Sequence, residues 1–148
     1  METSEIINVY MCETHIAEKL MKVFDQSPSL FEKQKINIFK GREWFLLSSD
    51  DELKPKLKEG EKMDYIFITA ESFKKYLFHS VYHLNLKKVL EKYGNKNTKV
   101  IIFSCCNDCD GFVKNRYGNI ITDFLAIDSP VETIAKKYFA DFLAINIS

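Results

Sequence analysis

The chain has 148 residues, of which 46% are hydrophobic and 28% are charged. This length and apolar content predict a single domain over residues 1–148, with a core that needs no disulfide or metal to support it. Lys plus Arg and Asp plus Glu number 21 each, so no net charge attracts nucleic acid or an acidic membrane surface. The composition therefore disfavours both of these partner classes.

Two features of the sequence bear on where the protein acts. METSEIINVY lacks the basic start and the apolar run of a signal peptide, and no run of 18 apolar residues is long enough to span a membrane. We therefore expect a cytoplasmic protein, in which the four cysteines are reduced thiols.

The first part of the chain predicts a strand, a helix and two further strands. Residues 5–11 form a short apolar run, and residues 12–25 carry apolar side chains at helical spacing. Residues 35–40 (KINIFK) and 43–48 (EWFLLS) are strand candidates that pair as a hairpin, or else the first is a core strand and the second an excursion. A short helix is predicted around residues 50–57.

The rest of the chain alternates strands and helices. Residues 64–69 (DYIFIT) and 100–103 (VIIF) predict buried strands, and residues 84–93 predict a helix between them. Residues 119–127 predict another strand. Ser129 is the expected N-cap of a following helix, with Pro130 as its first residue. Residues 142–147 predict a last strand.

This alternation predicts an α/β three-layer sandwich with a mostly parallel central sheet and helices on both faces. Cys105, Cys106 and Cys109 follow the strand at residues 100–103. In open α/β sheets, ligands and chemistry collect beyond the carboxyl ends of the strands. The cysteine segment is therefore the first candidate for a functional site.

Three stretches resemble the caspase family of cysteine peptidases. KVIIFSCC resembles the strand that ends at the catalytic cysteine, with Cys106 in the nucleophile position. DYIFIT, followed later by LNLKKVLEKYG, is similar to the family's other central strand and to the helix that leads back to the cysteine strand. TDFLAIDSP resembles the strand that opens the small subunit. The resemblance covers roughly residues 65–130 and implies a caspase-like fold.

The departures from the family imply an inactive member. Where caspases have Ser-His-Gly after the DYIFIT-like strand, this chain reads AESF, and Asn107-Asp108 follows the cysteine in place of Arg-Gly. The linker between the two subunits shrinks to about residues 112–119. A thiol with a pKa of about 8.5 and no partner histidine is a poor protease nucleophile.

The resemblance then implies a pseudoenzyme that acts by protein interaction. We expect it to modulate a caspase or a related apoptosis or immune signalling protein, as a homodimer or heterodimer and without a cofactor or metal. An exposed strand edge is a template for another chain. The expected binding residues lie in the last strand: Phe142, Leu143, Ile145 and Ile147.

Other functions are left open by the same residues. Cys106 acts as the nucleophile of an active hydrolase if His79 or His83 replaces the missing base. Cys106 and Cys109 form a C-x-x-C, which with those two histidines has the ligand types of a zinc site. A thioredoxin-like redox role is disfavoured because the motif is not expected to open a helix. Glu71 invites comparison with the catalytic carboxylate of TIR-like nucleotide hydrolases.

Overall fold

Five strands and four helices make up the described part of the computed structural model, which comprises residues 6–26, 35–42, 46, 51–52, 54–70, 85–104 and 107–140. In chain order they are β1 (Ile6–Met11), α1 (Thr14–Gln26), β2 (Lys35–Lys40), β3 (Tyr65–Thr69), α2 (Leu86–Tyr93), β4 (Lys99–Ser104), α3 (Asn107–Tyr117), β5 (Asp123–Ala126) and α4 (Val131–Phe139).

The strands form one sheet in the order β2-β1-β3-β4-β5, and every neighbouring pair is parallel. In the centre, Ile66 of β3 lies opposite Val100 of β4. All five residues of β3 are buried, because helices cover both faces of the sheet. The prediction of a mostly parallel central sheet is confirmed.

The helices divide into two layers, one on each face of the sheet. Phe67 and Phe103 point to the face on which α1 and α4 pack. Ile66 and Ile102 point to the opposite face, together with the buried side chains of α2 and α3. This alternation follows from the period of two in a strand, and it produces the predicted three-layer α/β sandwich.

The hairpin alternative for residues 35–48 is wrong where the structure describes it, and residues 35–40 form a strand of the main sheet, as in the other alternative. β2 pairs in parallel with β1, and the fully buried Leu46 has 3-10 conformation and is not in a strand. The helix predicted around residues 50–57 is wrong for its second half. Residues 54–58 are not helical, since Pro55 lacks a backbone donor and disfavours a helix. Burial in the core outweighed local strand propensity at Leu46.

The predicted boundaries near β5 and α4 also change. β5 begins at Asp123, because the N–H groups of Ile120 and Ile121 both donate to the Tyr117 carbonyl and hold the preceding segment in a turn. Pro130, in extended conformation, is the N-cap of α4 in place of Ser129. The Ser129 N–H instead donates to the Ala126 carbonyl (3.0 Å).

A polar cluster at the amino end of β5 attaches α4 to the sheet. The Asp123 carboxylate accepts a hydrogen bond from the Tyr138 hydroxyl (2.8 Å) and lies 2.9 Å from Lys137 Nζ. Burial by itself raises the Asp123 pKa, but the bonds from Lys137, Tyr138 and the Phe124 N–H outweigh it and hold that pKa below its usual value. Burial and the Asp123 carboxylate raise the pKa of Tyr138, so its hydroxyl remains a donor.

This cluster predicts a loss of stability in acid. Because the folded-state pKa of Asp123 is lowered, its contribution is present above the unfolded pKa of about 4 and is lost as pH falls through the folded value. Asp123→Asn should lower the free energy of unfolding by roughly 1 kcal/mol at neutral pH, a modest figure because the Asp123 side chain is 33% exposed. It should also flatten the loss of stability with falling pH below about pH 4. Urea denaturation across pH measures both effects, with the exposed Asp128→Asn as control. If Asp123→Asn lost stability in acid as the wild type does, the attribution of this pH dependence to Asp123 would be contradicted.

Candidate functional site

The carboxyl ends of the parallel strands meet at one edge of the sheet, which we call the carboxyl edge. β3 ends at Thr69, β4 at Ser104 and β5 at Ala126, and β4 lies between the other two. The segment that contains Cys105 and Cys106 therefore leaves the sheet from a strand with neighbours on both sides. This is the location that the sequence predicted for the functional segment, although Cys105 and Cys106 themselves lie outside the described residues.

Helix α3 begins at Asn107, directly after Cys106 in the sequence. The C-x-x-C from Cys106 to Cys109 therefore spans the start of a helix, and the expectation that it would not open one is wrong. Most of residues 112–119, the segment to whose length the resemblance reduces the linker between the subunits, belongs to α3. Partial positive charge at a helix N-terminus favours the thiolate over the thiol. The objection to redox chemistry at this motif is thereby removed.

Asp110 is a polar residue of α3 that the sequence reading did not single out. Its Oδ1 atom is buried and has no hydrogen-bond partner within the described ranges. A buried carboxylate oxygen without a donor is costly, so such atoms warrant a functional or structural explanation. Asp110 follows Cys109 in the chain. Its position directly after a cysteine of the candidate segment could have indicated it as a site residue.

The histidines bear on whether Cys106 has a base. Of the three in the sequence, His15 is the one in the described part of the chain. Its side chain is 66% exposed at the start of α1, with Nδ1 3.6 Å from the Glu13 carboxylate. α1 follows β1, which β3 separates from the cysteine strand β4. His79 and His83 lie outside the described residues.

The order of the strands creates a second place for a ligand at the carboxyl edge. The chain leaves β1 toward β2 on one side, whereas β3 lies on the other side, so the connections diverge between β1 and β3. Ligands of open α/β sheets bind at such switch points. The buried Cys12 follows β1 there, and its N–H donates to the Phe67 carbonyl (3.2 Å). Glu71, the TIR-like candidate, follows β3 by two residues and lies outside the described ranges.

An open groove of about 550 Å³ lies between α1 and the segment that leads from β5 into α4. His15, Lys19 and Lys22 line it from α1, and Asp128 and Glu132 line it from the other side. The two walls carry opposite charge. The groove therefore gives no clear preference for an anionic or a cationic ligand.

Several predicted site residues are not among the described residues. Phe142, Leu143, Ile145 and Ile147 lie outside the described residues, as does the side chain of Cys109. Within the described ranges, no three His, Cys, Asp or Glu side chains are grouped so as to hold a metal ion. Among the helices of those ranges, none is both long and apolar enough to cross a membrane.

Comparison of the chain with protein-family models, with curated proteins and with solved structures finds no match. The resemblance to caspases therefore rests on the residues quoted above.

Proposed function

We propose that this protein is a catalytically inactive caspase-like domain that acts by binding another protein. A caspase, or a related apoptosis or immune signalling protein, is the partner class that the resemblance implies. The observation that supports this proposal most is the neighbourhood of β3, β4 and β5. The three caspase-like stretches supply these strands, which lie side by side and parallel with the cysteine strand β4 between the other two.

The absence of a histidine after β3 supports catalytic silence. Residues 70–73 read AESF, so the chain offers no imidazole where the resemblance places the base. Peptide cleavage needs a base to activate the thiol and an acid to protonate the leaving amine. Loss of both typically costs several orders of magnitude in rate.

The proposed contact surface is the last strand-like segment, with Phe142, Leu143, Ile145 and Ile147. β5 is the last strand of the described sheet on its side. A strand added beyond that side would extend the sheet and present its backbone groups to a partner.

Two measurements on the purified protein test the proposal. Cleavage of fluorogenic peptides that contain Asp should be no faster for the wild type than for Cys106→Ala. Sedimentation with recombinant caspases of the source organism should show a complex that Phe142→Lys or Ile145→Lys weakens. Cleavage that Cys106→Ala abolishes would instead establish an active cysteine hydrolase, and a protein that associates with no caspase would contradict the binding role.

A TIR-like nucleotide-binding module is the second candidate, favoured by the switch point between β1 and β3. Glu71 follows β3 by two residues in the sequence, and β3 is one of the two strands that flank the switch point. Incubation with NAD⁺ and chromatography of the products test this candidate. Hydrolysis that Glu71→Gln abolishes and Cys106→Ala leaves unchanged would favour it over the caspase-like proposal.

A further inference from the structure

β2 forms the other side of the described sheet, opposite β5. It pairs with β1, and no described strand lies beyond it. The Gly41 N–H donates to the Met11 carbonyl of β1 (3.3 Å). Since successive residues of a strand point their N–H and C=O groups to opposite sides, Asn37 and Phe39 also point these groups toward β1. The backbone N–H and C=O groups of Ile36, Ile38 and Lys40 then face outward. Outward-facing groups of this kind are a template for another strand.

An open groove of about 490 Å³ runs along this side of the sheet, and we call it the β2 groove. Met21, Phe24 and Asp25 of α1 line it from above, and residues 36–39 of β2 form its base. Met21 is 42% exposed, one of the most exposed large apolar side chains in the described ranges. Ile36 and Ile38 are partly buried against the core below α1. The groove is thus apolar and already shaped by packed elements.

The charged residues of α1 are segregated between its two sides. Lys19 and Lys22 line the groove toward α4, whereas Asp25 lines the β2 groove. No basic residue occupies the last turn of α1, so the partial negative charge of the helix C-terminus adds to Asp25. At the other end, Glu18 is already paired with Lys40 of β2 (3.5 Å). Among the described side chains that line the β2 groove, Asp25 is the charged one, and it lies at the amino end of the groove.

We propose that a second copy of this chain occupies the β2 groove, with β2 beside β2 in antiparallel orientation about a twofold axis perpendicular to the sheet. This axis keeps the helix layers of both copies on the same face. With Ile38 opposite its own counterpart, Lys40 of the second copy lies across from Ile36, at the end of the groove where Asp25 lies. Each copy then brings a lysine to the end of the other copy's groove where Asp25 lies.

The spacing of the elements fits this arrangement. α1 packs against both β1 and β2, and neighbouring strands are about 4.8 Å apart. The two copies of α1 would therefore lie roughly 10 Å apart, which is near the distance at which helices pack. The exposed Met21 side chains would be covered between them. The existing Lys40–Glu18 pair is exposed and worth little, so it does not hold Lys40 away from Asp25.

This inference does not depend on the proposed function. It concerns the side of the sheet opposite to β5, and it would hold equally for a caspase-like or a TIR-like domain.

Sedimentation equilibrium from about 1 to about 100 µM tests the proposal. The wild type should show a concentration-dependent dimer, and Met21→Lys should weaken it by roughly tenfold or more because a charge would be buried. Asp25→Lys and Lys40→Asp should each weaken the dimer. The double exchange Asp25→Lys with Lys40→Asp should restore it, because the opposed charges are paired again across the axis.

Lys22→Glu is the matched control, since it reverses a charge on the side of α1 that faces α4. It should leave the dimer constant within about twofold, and thermal melts should show that every variant is folded. A protein that is monomeric at the highest concentration would overturn the proposal. A dimer that the three single variants Met21→Lys, Asp25→Lys and Lys40→Asp leave unchanged would overturn the proposed contact. A dimer that Asp25→Lys and Lys40→Asp weaken but that the double exchange does not restore would overturn the antiparallel arrangement.

Discussion

Phe67→Ala is expected to lower the free energy of unfolding by about 3–5 kcal/mol, the usual cost of truncating a fully buried aromatic side chain. Phe67 lies in the middle of the central strand β3 and is 0% exposed. Its ring centroid is 5.8 Å from that of Phe103 and 5.6 Å from that of Tyr138. The substitution removes these contacts and leaves a cavity where strands β3 and β4 meet α4.

Urea denaturation followed by circular dichroism measures this loss. Ile127→Ala is the control, because Ile127 is 40% exposed and its truncation should change stability by about 0.5 kcal/mol or less. A loss below about 1 kcal/mol for Phe67→Ala would contradict a central, doubly covered β3. The measurement therefore tests the strand order as well as the core.

Asn8→Asp is expected to cost about 3 kcal/mol or more at neutral pH, because it buries a negative charge beside the Glu61 carboxylate. Asn8 is 4% exposed, and its Nδ2 donates to Glu61 Oε2 (3.3 Å) and to the Lys62 carbonyl (3.1 Å). Its Oδ1 accepts from Asn37 Nδ2 (3.4 Å), and its backbone N–H donates to Asp64 Oδ2 (2.8 Å). An aspartate of the same shape would set a carboxylate against the Glu61 carboxylate and the Lys62 carbonyl.

Asn97→Asp is the matched control, since it makes the same chemical change at an exposed position and should alter stability by about 0.5 kcal/mol or less. Equal stability losses for the two variants, measured by urea denaturation, would show that the Asn8 contacts do not hold the strands. The prediction matters for the site because Asn8 connects β1 with the segment before β3. Those two strands flank the switch point.

Local sequence patterns were sufficient to locate most strands and helices. The apolar runs at DYIFIT and VIIF became β3 and β4, and the periodic residues before Gly94 became α2. The position of Cys106 after β4 followed from the same pattern, because a strand that ends abruptly in small and polar residues also shows where its loop begins. These signals depend on neighbours within a few positions along the chain.

Helix α3 was missed because its sequence is a weak local signal. Asn107, Asp108 and Gly111 in its first turns are poor helix formers. Val113 and Tyr117 are nevertheless buried against the sheet and hold the helix in place. Since β4 and β5 are parallel neighbours, a crossover must join them, and α3 is that crossover.

The kinds of element and their layering could thus be read from the chain, because a period of two or of 3.6 is set by adjacent residues. The folded structure determined the strand order β2-β1-β3-β4-β5, and with it the switch point and the position of β2 at the end of the described sheet. It also showed the helical start of the C-x-x-C. Several strands are similarly apolar, so their own sequences do not specify which of them become neighbours. That choice depends on contacts between residues far apart in the chain, such as Asn8 with Asp64.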